Sequence, residues 1–431
     1  MRLLITFFLA IVMYPSIAQN LYFPPQVGNW ETVNPESLNW CESQLDDLEN
    51  YLDEVDSKAF LILKDGKIVV EWYFDDFTKD SLWYWASAGK SMMATLVGIA
   101  QQEGLLDIQD KTADYLGQGW TNCPTTESAI TIWHQLTMTS GLDDAASFDC
   151  TLPNCLVCKT TPGDRWAYHN GPYSLLREVV ESATGVGINT YFTNKIGNVI
   201  GAGGGYVRSS FNNLFLSRAR DMARFGLMTL AKGTWNGVSV ITDTTYYHNM
   251  IQSSQDINPA YGYLWWLNGK NSYKQPRLQV DFSGPIIPSA PADLYAAMGK
   301  NEQRIYIVPS ESLVVVRMGN NANDSSALAL SGFDQELWEK MMNLECTVTD
   351  LEDESENLTV QLFPNPSKQL LHITSNEPIQ QIEVFDVFGQ RVRSIQGNVS
   401  TLNVGLLANG VYFVKVQTIN QHLKRIRFLK E

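Results

Sequence analysis

Hydrophobic and polar positions follow a helical period first, then a strand period, and return to each in turn. From Glu36 to Val55 the apolar residues Leu38, Cys41, Leu45, Leu48 and Leu52 recur at helical spacing, which predicts an amphipathic helix capping a sheet. Between Ala59 and Phe74 two β-rich runs flank Asp65-Gly66, a strong short hairpin signal, so antiparallel strands come early. Trp85 to Leu106 then places Met93, Leu96, Val97, Ile99 and Ala100 ahead of Gly104, the pattern of a largely buried helix stopped by glycine. Asp107 to Leu116 reads as a surface connection and Ile130 to Leu142 as a short helix closed by Gly141, with His134 on its face. Cys150 to Cys158 is a polar loop, and Thr161-Pro162-Gly163 is a turn that delivers Trp166 to Asn170. Tyr173 to Thr184, Phe215 to Lys232 and Thr244 to Gln252 read as helices. Strand character returns at Tyr261 to Leu267, Tyr295 to Met298, Arg304 to Val308 and Leu313 to Met318, and Phe333 to Leu344 closes the series as a helix. Strands at both ends of a helical insert predict an α/β (α+β) fold: one antiparallel sheet assembled from distant segments, flanked by helices, with a helical subdomain beside it.

The ends of the chain differ from this middle. Residues 1–18 combine Arg2, a short apolar run and Ser16-Ile17-Ala18, the layout of a secretory signal; the run is too short for a membrane span, and no second candidate follows. Residues 19–346 form the main domain, and residues 347–358 an acidic linker without a periodic apolar face. Residues 359–431 alternate as Ile382-Glu383-Val384-Phe385 and Val411-Tyr412-Phe413-Val414 do, with glycine turns, and predict a small all-β sandwich module. That module carries +4, which leaves −19 on the rest of a chain whose net charge is −15. With no basic face, nucleic acid and anionic lipid are poor partners. Six cysteines in an exported chain permit disulfides, whereas Cys155 and Cys158 lack the second pair that a zinc site needs; neither metal nor organic cofactor is expected.

The chemistry concentrates at Ser87 and Lys90. Their i, i+3 spacing at the start of the buried helix stacks both side chains on one face, where an amine can take the serine proton. A lysine serves as a base only when neutral, and burial together with the positive helix end lowers its pKa. The backbone N–H of Ser87, in an unpaired first turn, can stabilise an oxyanion. S-x-x-K should occur roughly once by chance in such a chain, so its context decides its meaning.

That context is Tyr168-His169-Asn170, about 80 residues on. With it, residues 40 to 345 resemble the serine β-lactamase and penicillin-binding-protein superfamily, in the class C-related branch that includes esterases, D-aminopeptidases and 6-aminohexanoate-dimer hydrolases. I-T-I-W-H-Q-L-T-M-T-S-G-L (130–142), R-D-M-A-R-F-G (220–226) and Y-G-Y-L-W-W (261–266) carry the likeness in order and spacing. The resemblance implies Ser87, Lys90 and Tyr168 as catalytic residues. Asn170 would orient Lys90 and bind a substrate carbonyl. The third motif of the superfamily, K-T-G, falls on Ala297-Met298-Gly299; the glycine stands, the cation is absent, and Lys300 follows, its N–H completing the oxyanion hole. The implied function is a secreted serine hydrolase of an ester, amide or short peptide. The alternatives are a β-lactamase or D,D-peptidase on cell-wall peptides, and a catalytically silent binding protein. Trp166, Trp265 and Trp266 are candidates for either pocket wall or core. In such a fold the first and last helices pack side by side, which would make Cys41 and Cys346 neighbours; pairing among Cys123, Cys150, Cys155 and Cys158 stays open. The C-terminal module, with L-F-P-N-P (362–366) and L-A-N-G-V-Y-F-V-K-V (407–416), resembles a type IX secretion sorting domain. It implies the type IX machinery as partner and a secreted or cell-surface destination.

Overall fold

The computed structural model describes residues 21–322, 330–346, 358–387, 390–420 and 422–431; the expected signal and most of the acidic linker lie outside them. The chain divides into two compact units, residues 1–346 and 347–431.

In the first unit a six-stranded antiparallel sheet runs in the order Lys67–Tyr73, Ser57–Lys64, Leu313–Gly319, Gln303–Val308, Tyr295–Gly299, Trp266–Leu267. The hairpin between the first two turns at Asp65 and Gly66, both left-handed at φ 52° and 83°, a turn that matches the strand twist. The central strands Gln303–Val308 and Leu313–Gly319 are buried along their whole length, because helices cover both faces. On one face the helix Ala219–Leu230 packs so closely that a Cβ on Gly226 would come within 2.6 Å of Val314 and 2.9 Å of Ile305. Alternation puts Arg304, Tyr306 and Arg317 on the opposite face, under the helix Gly332–Met342, where Trp338 packs edge-on against Tyr306. The first helix, Glu42–Glu54, joins it there through Tyr51 stacked on Phe333. A smaller sheet, Trp83–Tyr84 with Asn212–Ser217 and Gly205–Ser209, ends next to Ser87.

Some elements depart from the pattern reading. Phe215 is on a strand, not in a helix: Asn212–Ser217 pairs with Trp83–Tyr84, and the helix starts at Ala219. Between Ile130 and Leu142 only Ile132–Leu136 is helical, since Met138 turns left-handed at φ 61°. Of Tyr261 to Leu267 only Trp266–Leu267 is a strand; Leu264 is left-handed, and Gly262 lies against the Met250 carbonyl, where a Cβ would come within 2.3 Å. The connection at 107–116 includes a short helix, Thr112–Leu116.

All six cysteines are bridged: Cys41–Cys346, with Cα atoms 5.0 Å apart, Cys123–Cys158 and Cys150–Cys155. The first joins the segments flanking the first and last helices, beside the backbone bonds Cys41 N to Leu344 O and Cys346 N to Asn39 O. The second unit holds two antiparallel sheets of three and four strands around Leu371, Ile373, Val384, Leu402, Val414 and Phe428. Among the described residues no helix is long and apolar enough to cross a membrane.

Loop length separates the bridges energetically. Replacing Cys41 and Cys346 by serine should cost on the order of 5 kcal/mol in denaturant unfolding of the first unit, against about 2 kcal/mol for the five-residue Cys150–Cys155 loop. Equal losses for the two double variants would contradict the loop-entropy account.

Candidate active site

Ser87 lies one turn earlier than the pattern placed it. It occupies a 3₁₀ turn, Ala86–Ala88, that feeds the α-helix Gly89–Gln102. Ala86 is left-handed at φ 47°, a conformation that costs an alanine about 1 kcal/mol or more and is tolerated where the surroundings over-determine it. Those surroundings are visible on both sides. Trp85 donates its N–H to Phe215 O at 2.8 Å and its indole N–H to Ser217 Oγ at 2.8 Å. Across from it, a Cβ on Gly299 would meet Trp85 O at 2.5 Å, Ala88 N at 2.8 Å and Ser87 N at 2.9 Å. The glycine of the third motif is therefore pressed directly on the backbone of the Ser87 turn.

Lys90 is 4% exposed, on a helix buried from Gly89 to Ala100. Its Nζ donates to Ser87 Oγ at 3.0 Å; once the amine is neutral, the same contact can run from the serine hydroxyl to the nitrogen lone pair. Burial pushes the Lys90 pKa down to about 7, with Asp149 pulling weakly the other way. Two rings soften the penalty on its charged form, Tyr173 at 4.2 Å and Tyr168 at 5.2 Å from Nζ. Tyr168 is also buried, and burial drives its phenol well above the ordinary range, against the opposing pull of the Ser87 hydroxyl and the Arg304 charge. It is therefore a neutral phenol at physiological pH, suited to relaying protons rather than to acting as a base. Its hydroxyl makes no hydrogen bond to another described group.

Asn170 is beside them, with a partner other than the one expected. Its amide nitrogen donates to Asp149 Oδ1 at 2.7 Å, because the loop before Cys150 brings a carboxylate within reach, while its carbonyl oxygen, the atom that could accept from Lys90, is buried without a partner. That loop is fastened to the Tyr168 segment at several points. His169 Nε2 meets Ser147 O at 2.7 Å, Gly171 N donates to Phe148 O, and the Cys150–Cys155 bridge follows. Lys300 is exposed on the rim. The cavity holds about 300 Å³ and is lined by Ser87, Lys90, Tyr168, Asn170 and Lys300, joined by Asp149 and Arg277. Sequence reasoning missed the last two: an aspartate in a polar loop and an arginine 190 residues from Ser87 carry no local signal. Trp166 and Trp266 stand behind Tyr168, with Trp266 stacked on its ring at 6.0 Å, and Trp265 stacks on Phe225; all three are core rather than wall. His134 accepts the Thr131 N–H at its helix cap. Among the described residues no group of three His, Cys, Asp or Glu is placed to hold a metal ion.

Comparisons with known proteins bear on the family and the fold. Residues 45–209 match the family model described as Beta-lactamase, and residues 361–428 the model described as Secretion system C-terminal sorting domain. The first unit has a β-lactamase/transpeptidase-type fold, and the second carries a secretion system C-terminal sorting domain. An uncharacterised protein of Alkalihalophilus pseudofirmus is 25% identical over 301 residues, covering 61% of this chain and 83% of that protein. A 6-aminohexanoate-dimer hydrolase of Paenarthrobacter ureafaciens is 32% identical over 79 residues, 18% of this chain and only 20% of that enzyme. Two crystal structures share the fold. A penicillin-binding protein homologue from Caulobacter crescentus has a TM-score of 0.53 at 14% identity, covering 70% of this chain and 98% of that one. A family VIII carboxylesterase has a TM-score of 0.51 at 16% identity, covering 71% and 98%.

Two outcomes follow from this packing. The folded-state pKa of Lys90 is depressed, so the unfolded chain binds the extra proton between about pH 7 and 10.5. The stability cost of Lys90 is full below pH 7 and fades as pH rises toward 10.5. Thermal unfolding of Lys90→Met should accordingly show a gain over the parent that is largest at pH 6 to 7 and shrinks by pH 10; a gain independent of pH would contradict it. If Ser87 is acylated by a fluorophosphonate probe, Gly299→Ala should lower that acylation ~10²-fold, because the added methyl displaces the backbone that carries Ser87 and its N–H.

Proposed function

We propose that this protein is a secreted serine hydrolase that cleaves a small ester or amide through an acyl-enzyme on Ser87. The observation that carries this reading is the 3.0 Å contact between Ser87 Oγ and a buried Lys90 amine whose pKa is pushed down to about 7. Neutral Lys90 takes the hydroxyl proton as Ser87 Oγ attacks the carbonyl carbon. Negative charge then gathers on the carbonyl oxygen, where the backbone N–H groups of Ser87 and Lys300 receive it. Collapse expels the alcohol or amine, which takes its proton through Tyr168 from the lysine ammonium. Water, deprotonated by the same lysine, attacks the ester on Ser87; collapse breaks the bond to Ser87 Oγ, which takes that proton back from the lysine as the acid leaves. The unpartnered carbonyl of Asn170, on the cavity lining, can accept a hydrogen bond from the substrate. A cavity of about 300 Å³ favours a small acyl group. The C-terminal module supports export by the type IX machinery to the surface or medium.

Ala297, fully buried where the superfamily motif has a cation, favours esters and simple amides over β-lactams or D-alanyl peptides, whose carboxylate needs a positive partner on that strand. The same residue motivates the silent-binder reading, in which ligand binding is indifferent to Ser87.

Short-chain p-nitrophenyl esters and a fluorophosphonate probe test the proposal. Turnover and a label on Ser87 are expected, both abolished by Ser87→Ala. The folded protein remaining unlabelled, or binding ligand equally well as the alanine variant, would reject it. Nitrocefin turnover at ordinary enzyme rates would shift the substrate class to β-lactams. The rate kcat/KM should rise with pH as a single ionisation near 7, since the base form of Lys90 accumulates above it.

A further inference from the structure

The turn that carries Lys300 is unusual in how its carbonyl groups are held. Gly299 O accepts from Arg304 Nη1 at 2.5 Å, and Gln303 O from the same nitrogen at 3.2 Å. Asn301 O accepts from Arg317 Nη1 at 3.0 Å and from Gln303 Nε2 at 2.7 Å, while Glu302 O accepts from Arg317 Nη1 at 3.1 Å. Two guanidinium groups thus bind four of the five carbonyls from Gly299 to Gln303. Both arginines are fully buried on the sheet face opposite the helix Ala219–Leu230, and neither lines the cavity.

Each guanidinium is itself anchored. Arg304 forms a forked pair with Asp334, Nε to Oδ1 at 2.6 Å and Nη2 to Oδ2 at 3.0 Å, and Tyr306 donates its hydroxyl to the same carboxylate at 2.5 Å. Arg317 donates to Ser57 Oγ and Val55 O and lies over the ring of Phe333. What they hold needs holding. Asn301 and Glu302 are consecutive left-handed residues, at φ 58° and 50°, in a turn that without external donors would relax to an ordinary conformation.

The consequence for the site lies in the planarity of the peptide group. In a trans peptide the C=O and the following N–H point in opposite directions. With Gly299 O fixed on Arg304, the N–H of Lys300 is turned to the other side of the strand, while Gly299 itself rests against the Ser87 turn. We propose that Arg304, braced by Arg317, is a positioning residue of the oxyanion hole: it aims the Lys300 N–H at the developing oxyanion without touching substrate. This rests on the reading that Ser87 forms an acyl-enzyme. Lysine cannot replace it, because a single ammonium cannot serve both Asp334 and the Gly299 carbonyl with the planar fork that arginine offers.

The test compares a p-nitrophenyl ester with the corresponding O-aryl thionoester, whose sulfur is larger and a weaker acceptor, so that an aligned oxyanion hole discriminates against it. Active sites are counted by fluorophosphonate titration, and rates are expressed per titrated site. For Arg304→Lys, kcat on the oxygen ester should fall ~10²-fold with KM within about threefold, and the oxygen-to-sulfur preference should collapse. Tyr306→Phe removes only the hydroxyl that braces Asp334, so it serves if the lysine variant does not fold; it should move the preference in the same direction by a smaller factor. An unchanged preference per titrated site in a folded variant overturns the proposal, whatever happens to thermal stability. If the parent protein itself fails to acylate at Ser87, the hydrolase reading falls and this inference with it; if the parent acylates and the preference does not move, this inference alone is lost.

Discussion

An amine inside an apolar core is the constraint around which the first unit is arranged. Lys90 sits on a helix with no exposed residue from Gly89 to Ala100, and moving an ammonium into such surroundings is costly unless it loses its proton or finds compensating groups. Both occur here. The pKa falls to about 7, the rings of Tyr173 and Tyr168 lie 4.2 and 5.2 Å from the nitrogen, and the Asp149 charge acts on it as well. The same burial that makes Lys90 a base at neutral pH makes Tyr168 a poor one, since desolvation opposes whichever form carries charge. One environment therefore divides the roles of two titratable groups.

Ser87 is held by packing as well. Its turn contains a left-handed alanine and is fixed by contact with two sheets at once: Trp85 bonded to the strand Asn212–Ser217 on one side, and Gly299 of the main sheet on the other. Those strands lie over 120 and over 200 residues along the chain from Ser87. The site is thus a property of how distant segments dock, and its precision rests on the rigidity of the sheet rather than on the local helix. The buried Arg304–Asp334 pair belongs to this logic. Ion pairs in a core are weak contributors to stability, and their retention is easier to explain by the geometry that they impose.

How much of this could be read along the chain differs by residue. The pairing of Ser87 with Lys90 is legible because their three-residue spacing is a local relation that holds across a 3₁₀ turn and the helix it feeds, and the hairpin at Asp65-Gly66 is equally local. Tyr168 and Asn170 became legible only through motif order, and Asn170 then turned out to bind Asp149 instead of Lys90. The strand at Asn212–Ser217 was hidden for a different reason. Its apolar run, Leu214-Phe215-Leu216, is too short to tell strand from helix and stands just ahead of the helix at Ala219, so only pairing with Trp83–Tyr84 separates the two.

The periodicities, hence the strands at both ends of a helical middle, the i, i+3 pairing of Ser87 with Lys90, and a C-terminal module of alternating strands are legible along the chain. Tertiary structure alone decided which two loops supply Asp149 and Arg277 to the cavity, how the cysteines at 123, 150, 155 and 158 pair, and that Gly299 rests on the Ser87 turn while Arg304 grips the Gly299 carbonyl. The physical reason is the range of the forces involved. Helical and strand patterns arise from contacts within a few residues, whereas hydrogen-bond partners and desolvation depend on which surfaces meet after the sheet has closed.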